Sequence, residues 1–414
     1  MRIVLYSLNF SPELTGTGKY SGEMAAWLAA RGHEVRVIAA PPYYPEWRIG
    51  PGYSGWWYTV ERDPKAGGGQ AGCLVYRCPL YVPRRPSGGR RLVHLLSFAI
   101  LSVPVLLRLL FRRADVVWVV EPTLACAPGA WILAKLTRAK AWLHVQDFEV
   151  DMAFEMGLLR WAPLRLVVLW AERFWMRRFD RVSTITGRMS DKLIDRGVSQ
   201  SRASLFPNWA DIDGIYSLPR PSTMRAQLGF SEDDVVVLYS GNMGQKQGLE
   251  TVLEAIRLLE SHHRLHFVLC GDGAARESLV ALASGLSNVQ WLPLQPLDQL
   301  NELLNLADIH LLPQRADAAD MVMPSKLTNM LASGRPVVAT ALPNTEVYSV
   351  VSGRGINTPP GDAACLANAL SQLADDVPLR RNLGHAARNY AEKHLSKDTI
   401  LQQFESELLK LVRG

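Results

Sequence analysis

The chain has 414 residues, of which 48% are hydrophobic and 20% charged, and a net charge of +6. That length exceeds one ordinary core and implies about two or three domains, and the composition excludes a disordered chain. The mild basic excess suits anionic partners, phosphates or a membrane surface, while no zinc finger, RNP-like aromatic motif or dense Lys/Arg block points to nucleic acid.

RIVLYS opens the chain as an apolar run and reads as a buried strand. Pro12 and Glu13 follow too soon for a signal peptide. A long turn, SPELTGTGKY, leads into the amphipathic helix YSGEMAAWLAARG. EVRVIAA and LVYRCP are the next strands. Then comes LLSFAILSVPVLL, Leu95 to Leu107, uncharged but short of the ~20 residues that span a bilayer. Arg90 and Arg91 precede it, and Arg108, Arg112 and Arg113 follow. It reads either as a buried helix of an α/β domain or as a helix lying in a membrane interface, its basic flanks on anionic lipid. The basic-aromatic stretch LLRWAPLRLVVLWAERFWMRRF fits the same surface.

VVWVVE, AWLHVQD and RVSTIT complete the first strand series. Near residue 206, FPNWADIDGIYSLPRPS has linker composition. A second series follows: VVVLYSG, LHFVLCG, VQWLPL, IHLLP, PVVAT and GRGINT. Continuous apolar strands such as VVVLYSG mark parallel sheets covered on both faces. The expected fold class is therefore α/β, with two tandem Rossmann-like doubly wound domains at 1–205 and 206–385. An amphipathic helical segment, 386–414, must pack on something. The five scattered cysteines form no CxxC pair or Cys/His cluster, so no disulfide framework or zinc site is expected and a reducing, cytoplasmic setting fits.

Four strand-to-helix turns carry glycine or capping chemistry. They hold Gly16 and Gly18; Gly241, Asn242, Gly244 and Gly248; Gly271, Asp272 and Gly273; and Ser325 with Lys326, where Ser325 can cap a helix. Glycines let backbone N–H groups approach a ligand, and helix N-termini carry partial positive charge, so the set points to a phosphate ligand. A nicotinamide fingerprint does not fit: about seven residues part the strand from Gly16, and the acidic residue after the second strand is missing. No Walker A sequence is present.

SPELTGTGKYSGEMAAWLAARGHEVRVIAAPPYYP, YSGNMGQKQGLETVLEA, LCGDGAARESL, NVQWLPL and ADIHLLPQ…MPSKLTNMLASGRPVVAT, in that order, resemble the GT-B glycosyltransferases of family 4 over nearly the whole chain. HEVRVIAAPPYYPEW, CPLYVPRRPS and PTLACAPGA look most like those of colanic-acid biosynthesis. The resemblance implies two Rossmann-like domains with the active site in an interdomain cleft. It implies a nucleotide-sugar donor on the C-terminal side, an acceptor on the N-terminal side, retention of anomeric configuration, and no essential metal or other cofactor. It also implies that residues 386–414 cross back to the first domain. The opening loop would then fold over the donor diphosphate at Gly16 and Gly18, with Lys19 adding charge or standing solvated at the helix start.

Fixed positive groups aimed at the departing diphosphate lower the barrier. Lys246 and Lys326 are the candidates. The family's arginine and lysine in the second-domain turn are replaced here by Asn242 and Gln247, with Lys246 shifted by one. The family's glutamate pair falls on Met321 and Asn329; Asn329 retains hydrogen-bonding capacity for a ribose, and Asp320, next to the first position, either substitutes there or is, like Asp317, a loop acid. His144 and Asp147, at a strand end, are candidates for contact with the donor sugar or as acceptors of the acceptor hydroxyl's proton. The alternative is a buried histidine and a helix-capping aspartate. Asp211 and Asp213 match a DxD metal pattern but fall in the linker, and read as linker chemistry.

The expected function is a bacterial glycosyltransferase, peripheral on the inner face of the cytoplasmic membrane, moving a sugar (GDP-fucose as donor) to a lipid-linked oligosaccharide in exopolysaccharide synthesis. The rivals are a nucleotide-sugar epimerase of the same architecture and a non-catalytic partner that binds nucleotide sugars or membranes.

Overall fold

The apolar runs become strands of two sheets. The computed structural model describes the chain except residues 14–15, 64–71, 85–87, 122–123, 149–161, 245–246 and 317–323. One unit comprises Met1–Pro207 and Leu401–Gly414, the other Asn208–Ile400.

The first unit holds β1 (Arg2–Tyr6), β2 (Glu34–Ala39), β3 (Thr59–Asp63), β4 (Cys73–Arg77), β5 (Val116–Glu121), β6 (Lys140–Val145), β7 (Arg181–Thr184) and β8 (Ala203–Leu205). Their order in the sheet is β3-β4-β2-β1-β5-β6-β7-β8. Every residue of β5 is buried, as a central parallel strand requires. β3 and β8 are not legible as sequence runs. β3 pairs antiparallel with β4 at the sheet edge, and β8 is only three residues long, too short to show a period.

The second unit holds β9 (Val235–Ser240), β10 (Leu265–Cys270), β11 (Val289–Leu292), β12 (Ile309–Leu312), β13 (Val337–Thr340) and β14 (Gly355–Thr358). All are parallel, in the order β11-β10-β9-β12-β13-β14. Strand order reverses beside β1 and β5 in one sheet and beside β9 and β12 in the other. At such a switch point successive crossovers diverge to opposite faces and leave a crevice beyond the strand carboxyl ends. The loops after β1, β9 and β12 therefore occupy the positions where ligands bind such sheets.

The C-terminal helices divide differently from expectation. Helix Val377–His394 buries Ala387 and Ala391 in the core of the second unit. Small residues permit that approach: a Cβ on Gly384 would lie 2.5 Å from Gly334 O. Arg388 donates to Ile215 O at 2.6 Å and Ala332 O at 2.7 Å, fastening the segment after the linker to the same core. Residues 386–400 thus belong to the second unit, and only 401–414 lie in the first. There, Phe404 stacks on Phe206 with ring centroids 4.4 Å apart and meets Trp118 at 4.9 Å and Trp142 at 5.1 Å. Glu405 accepts from Arg31 Nε at 2.8 Å and pairs with His33 Nε2 at 2.7 Å.

The apolar stretch in the first unit forms helices Gly88–Leu101 and Val103–Leu109, parted at Ser102. His94, Phe98 and Ser102, spaced at i, i+4 and i+8, form the buried face, and Phe98 packs on Tyr6 of β1. Leu92, Val93, Leu96, Ile100, Val103 and Leu107 are exposed. The buried-helix reading therefore holds for one face, while the other face is apolar and exposed. With its flanks the helical run Gly89–Leu109 spans 21 residues, and its most apolar stretch, with mean hydropathy 2.1, is long and apolar enough to cross a membrane by length and composition alone, although 33% of that stretch is buried.

Candidate active site

In the first unit, the loop after β1 and the loop after β2 enclose a cavity of about 200 Å³. Gly16, Tyr43, Trp47, Arg91, His94 and Asp147 are among its lining residues. Helix Gly16–Ala30 begins at its wall, and Gly16 takes φ +57°, which a residue without a Cβ adopts at little cost. Glu13 joins the two loops. Its Oε1 accepts from the backbone N–H groups of Tyr43 and Tyr44 at 3.0 Å each, and its Oε2 accepts from Asn9 Nδ2 at 2.8 Å. Burial holds the Glu13 carboxyl above its usual range against the pull of these donors. Gly18 faces Glu13. A Cβ there would lie 2.7 Å from the Glu13 side chain, so its role is to let the helix sit against Glu13. Lys19 lies 4.0 Å from Glu23 on the same helix, which supports the solvated reading.

Asp147, just beyond β6, lines the cavity; His144 does not. The His144 ring is 1% exposed and packs on Trp118 and Phe206. Its Nδ1 meets Ser183 Oγ at 2.9 Å, and Gln146 Nε2 lies 3.0 Å from its Nε2. Burial lowers its pKa to about 3. His144 is therefore a neutral core histidine, and its proposed contact with substrate is corrected. The pattern misleads because β6 alternates faces: Trp142 and His144 point to the Phe404 core.

In the second unit, Gly241 follows β9 and Gly271 follows β10. Both have positive φ, +141° and +147°, and a Cβ on Gly271 would lie 1.9 Å from Gly241 O. A Cβ on Gly273 would meet Asn242 Oδ1 and Met243 O at 2.6 Å each. Met243 N–H donates to Asp272 O at 2.8 Å, and Asp272 Oδ1 accepts from Gly273 N–H at 2.8 Å. These glycines let two loops nest on one another, a use of small residues that sequence alone does not separate from approach to a ligand.

Lys326 lies in the first turn of helix Ser325–Ala332, which follows β12. Its Nζ stands 4.6 Å over the Tyr239 ring, donates to Gln247 Oε1 at 3.1 Å, and would lie 3.9 Å from a Cβ on Gly241. Among the described residues no carboxylate pairs with it. Burial lowers its pKa to about 8. A partly desolvated ammonium beside a helix N-terminus and the post-β9 turn supplies the charge and donors that an anion would need. Ser325 does not cap the helix: Pro324 occupies the N-cap position and Ser325 is exposed at the first helical position. Asn329, one turn on, is half-buried. Lys246, Asp317, Asp320 and Met321 lie outside the described residues. Asp211 Oδ1 accepts from Gly214 N–H at 3.0 Å, a turn role. Among the described residues no three His, Cys, Asp or Glu side chains gather as a metal site.

Residues 15–209 match the family described as "Glycosyl transferase 4-like domain", and residues 222–390 the family "Glycosyl transferases group 1". The chain is 42% identical to the putative colanic acid biosynthesis glycosyl transferase WcaI of Escherichia coli K12, over 99% of this chain and all of that protein. The chain belongs to the group 1 glycosyltransferases. Among solved structures it resembles sucrose-phosphate synthase from Thermosynechococcus elongatus, with TM-score 0.72 and 18% identity over 99% of this chain and 98% of that one. It also resembles Anabaena HepE in complex with UDP-glucose, with TM-score 0.67 and 15% identity over 99% of each chain. These likenesses establish the GT-B fold. As a group 1 glycosyltransferase the chain is a transferase enzyme, which removes the non-catalytic and epimerase alternatives. Sequence reasoning did not single out Tyr43, Trp47, Arg91 and His94 as site residues. The signal was a lone histidine in an otherwise apolar helix, facing a loop rich in aromatics.

Proposed function

We propose that the chain transfers a sugar from a nucleotide-sugar donor to a lipid-linked oligosaccharide in exopolysaccharide assembly of the colanic-acid type, with retention of configuration and no metal or other cofactor. The observation that carries the reading is Lys326, a partly desolvated cation at the switch point of the second sheet with a neutral partner, Gln247. As the bond from sugar C1 to the terminal phosphate oxygen breaks, charge develops on the departing diphosphate. The Lys326 ammonium and the N-terminus of helix Ser325–Ala332 stabilise that charge. The acceptor oxygen bonds to C1 on the face that the phosphate leaves, and its proton passes to the departing phosphate. Full-length similarity to WcaI supports the pathway class and GDP-fucose as the first donor to try.

Membrane association completes the reading. The exposed apolar side chains of 92–107, Phe111 at 90% exposure, and exposed Arg108, Arg112 and Arg113 combine apolar surface with cationic charge. That pairing suits a peripheral position on anionic lipid at the inner face of the cytoplasmic membrane. The deciding experiment is a thermal-shift screen of the purified chain against GDP, UDP, dTDP, CMP and their sugar conjugates, followed by transfer from the best donor with and without EDTA. A shift with one base and EDTA-resistant transfer are expected. No shift with any nucleotide overturns the donor assignment, and transfer lost to EDTA and restored by manganese overturns the metal-free mechanism.

A further inference from the structure

His94 is 1% exposed and lines the cavity of the first unit. Its Nδ1 lies 2.6 Å from Tyr81 O. A carbonyl oxygen only accepts, so Nδ1 carries the proton. Burial, with Arg91 nearby, lowers the pKa of the ring and keeps it neutral. Nε2 is then a bare lone pair, and among the described residues it has no hydrogen-bond partner. A buried acceptor left unpaired costs about 1–3 kcal/mol, which a ligand donor in the cavity would recover.

The rest of the wall indicates what that donor belongs to. Tyr43 meets the His94 ring at 4.7 Å and Trp47 meets it at 5.4 Å, forming a continuous aromatic surface. The Arg91 guanidinium lies 5.7 Å from the centre of the Trp47 ring. Trp47 holds φ +52°, a left-handed backbone that a bulky residue rarely adopts. Strain of this kind persists where the surroundings fix a side chain for use. The Asp147 carboxylate adds a second acceptor. A phosphate or carboxylate ligand would be drawn to Arg91 but would face the Asp147 carboxylate and the Nε2 lone pair, which offer it no donor. An alkyl chain would leave the His94 Nε2 lone pair without a donor. A sugar ring satisfies every feature: its hydroxyls donate to acceptors, and its C–H face packs on aromatic rings.

We propose that this cavity holds one neutral pyranose ring of the acceptor, with a ring hydroxyl donating to His94 Nε2. The word acceptor rests on the transfer reading above; the sugar site rests on the cavity itself. The acceptor is thus already glycosylated where it enters the first unit, and Trp47 and His94 select which sugar it carries.

The test is direct observation of the His94 nitrogens in the full chain labelled with ¹⁵N-histidine. The probes are methyl α-L-fucopyranoside, methyl β-D-galactopyranoside, methyl β-D-glucopyranoside, inorganic phosphate, GDP-fucose and UDP-glucose. Loss of signal in His94→Asn assigns the resonance, and His94→Gln serves if that variant does not fold. The expected result is that one methyl glycoside moves the Nε2 resonance saturably, as hydrogen-bond donation to it requires, and that Trp47→Ala weakens this glycoside about tenfold. A silent Nε2 with all three glycosides overturns the proposal. A response to phosphate alone also overturns it, and a response to the nucleotide sugars alone reassigns the ring to the donor. Nucleotide binding with a silent His94 defeats this inference only, whereas a responding His94 without nucleotide binding defeats only the transfer reading.

Discussion

Lys326 and His144 are both ionisable groups out of water, but they behave oppositely. Lys326 has its pKa lowered to about 8, so most of its charge is present at pH 7 and is lost as pH rises through that value. Nucleotide diphosphate affinity should therefore fall between pH 7 and pH 9, as isothermal titration would read. Lys326→Ala should weaken binding about 10- to 100-fold, the worth of a charge-assisted hydrogen bond. Lys326→Arg should remove the pH dependence, since a guanidinium stays charged. Stability moves the other way. Between about 8 and the ordinary lysine value the unfolded chain binds more protons, so this group's contribution to stability rises with pH. His144, with its pKa lowered to about 3, destabilises the fold as pH falls below the ordinary histidine value, because the unfolded chain then takes up a proton that the folded chain refuses. His144→Ala should lower the melting temperature, by about 2–4 kcal/mol in stability, and at pH 5 the deficit should be smaller than at pH 7.

At the scale of elements, the nested loops after β9 and β10 hold the surroundings of Lys326 in shape. Gly271→Ala places a methyl group 1.9 Å from Gly241 O at φ +147°, and neither loop can yield without breaking the bonds that join them. A loss of about 2–4 kcal/mol is expected in thermal denaturation, together with loss of nucleotide binding. The helical run Gly89–Leu109 makes the opposite kind of prediction. Its exposed side chains Ile100 and Leu107 pack on nothing that the structure supplies, with exposures of 66% and 55%. Ile100→Glu with Leu107→Glu should leave the melting temperature unchanged within a degree or so and abolish flotation with phosphatidylglycerol-containing vesicles. Flotation equal to that of the unaltered chain would place the membrane contact elsewhere.

For the whole molecule, the notable feature is that the chain's end returns to its first unit. Phe404 fills a space bounded by Trp118, Trp142 and Phe206, so the sheet of the first unit depends on a residue some 200 positions after that unit's main segment ends. Phe404→Ala should cost about 3–5 kcal/mol. Hydrogen exchange should show the loss in β5 and β6, with β9 and β12 of the second unit retaining their protection. Uniform loss of protection in both units would mean that they unfold as one.

Much of this was decided along the chain. Among the described residues the strands that announce themselves most clearly are the central ones, β5 and β9, because a strand buried on both faces is apolar at nearly every position. The ordered glycine turns and the lysine opening helix Ser325–Ala332 follow from local chemistry, and so did the family. Tertiary structure decided the rest, for reasons that local pattern does not contain. It separated His144 from Asp147, because adjacent strand-end residues face different environments once a helix from the C-terminus packs on one side. It gave Gly18, Gly271 and Gly273 to packing against neighbouring loops, since a small residue looks the same whether the space above it holds a ligand or a carbonyl. It divided the C-terminal helical segment between two units after Ile400, where an amphipathic pattern states only that something must be covered. It also brought His94, Trp47 and Asp147, from three separate segments, to the wall of one cavity, since their meeting depends on how a sheet orders its strands and not on any spacing in the sequence.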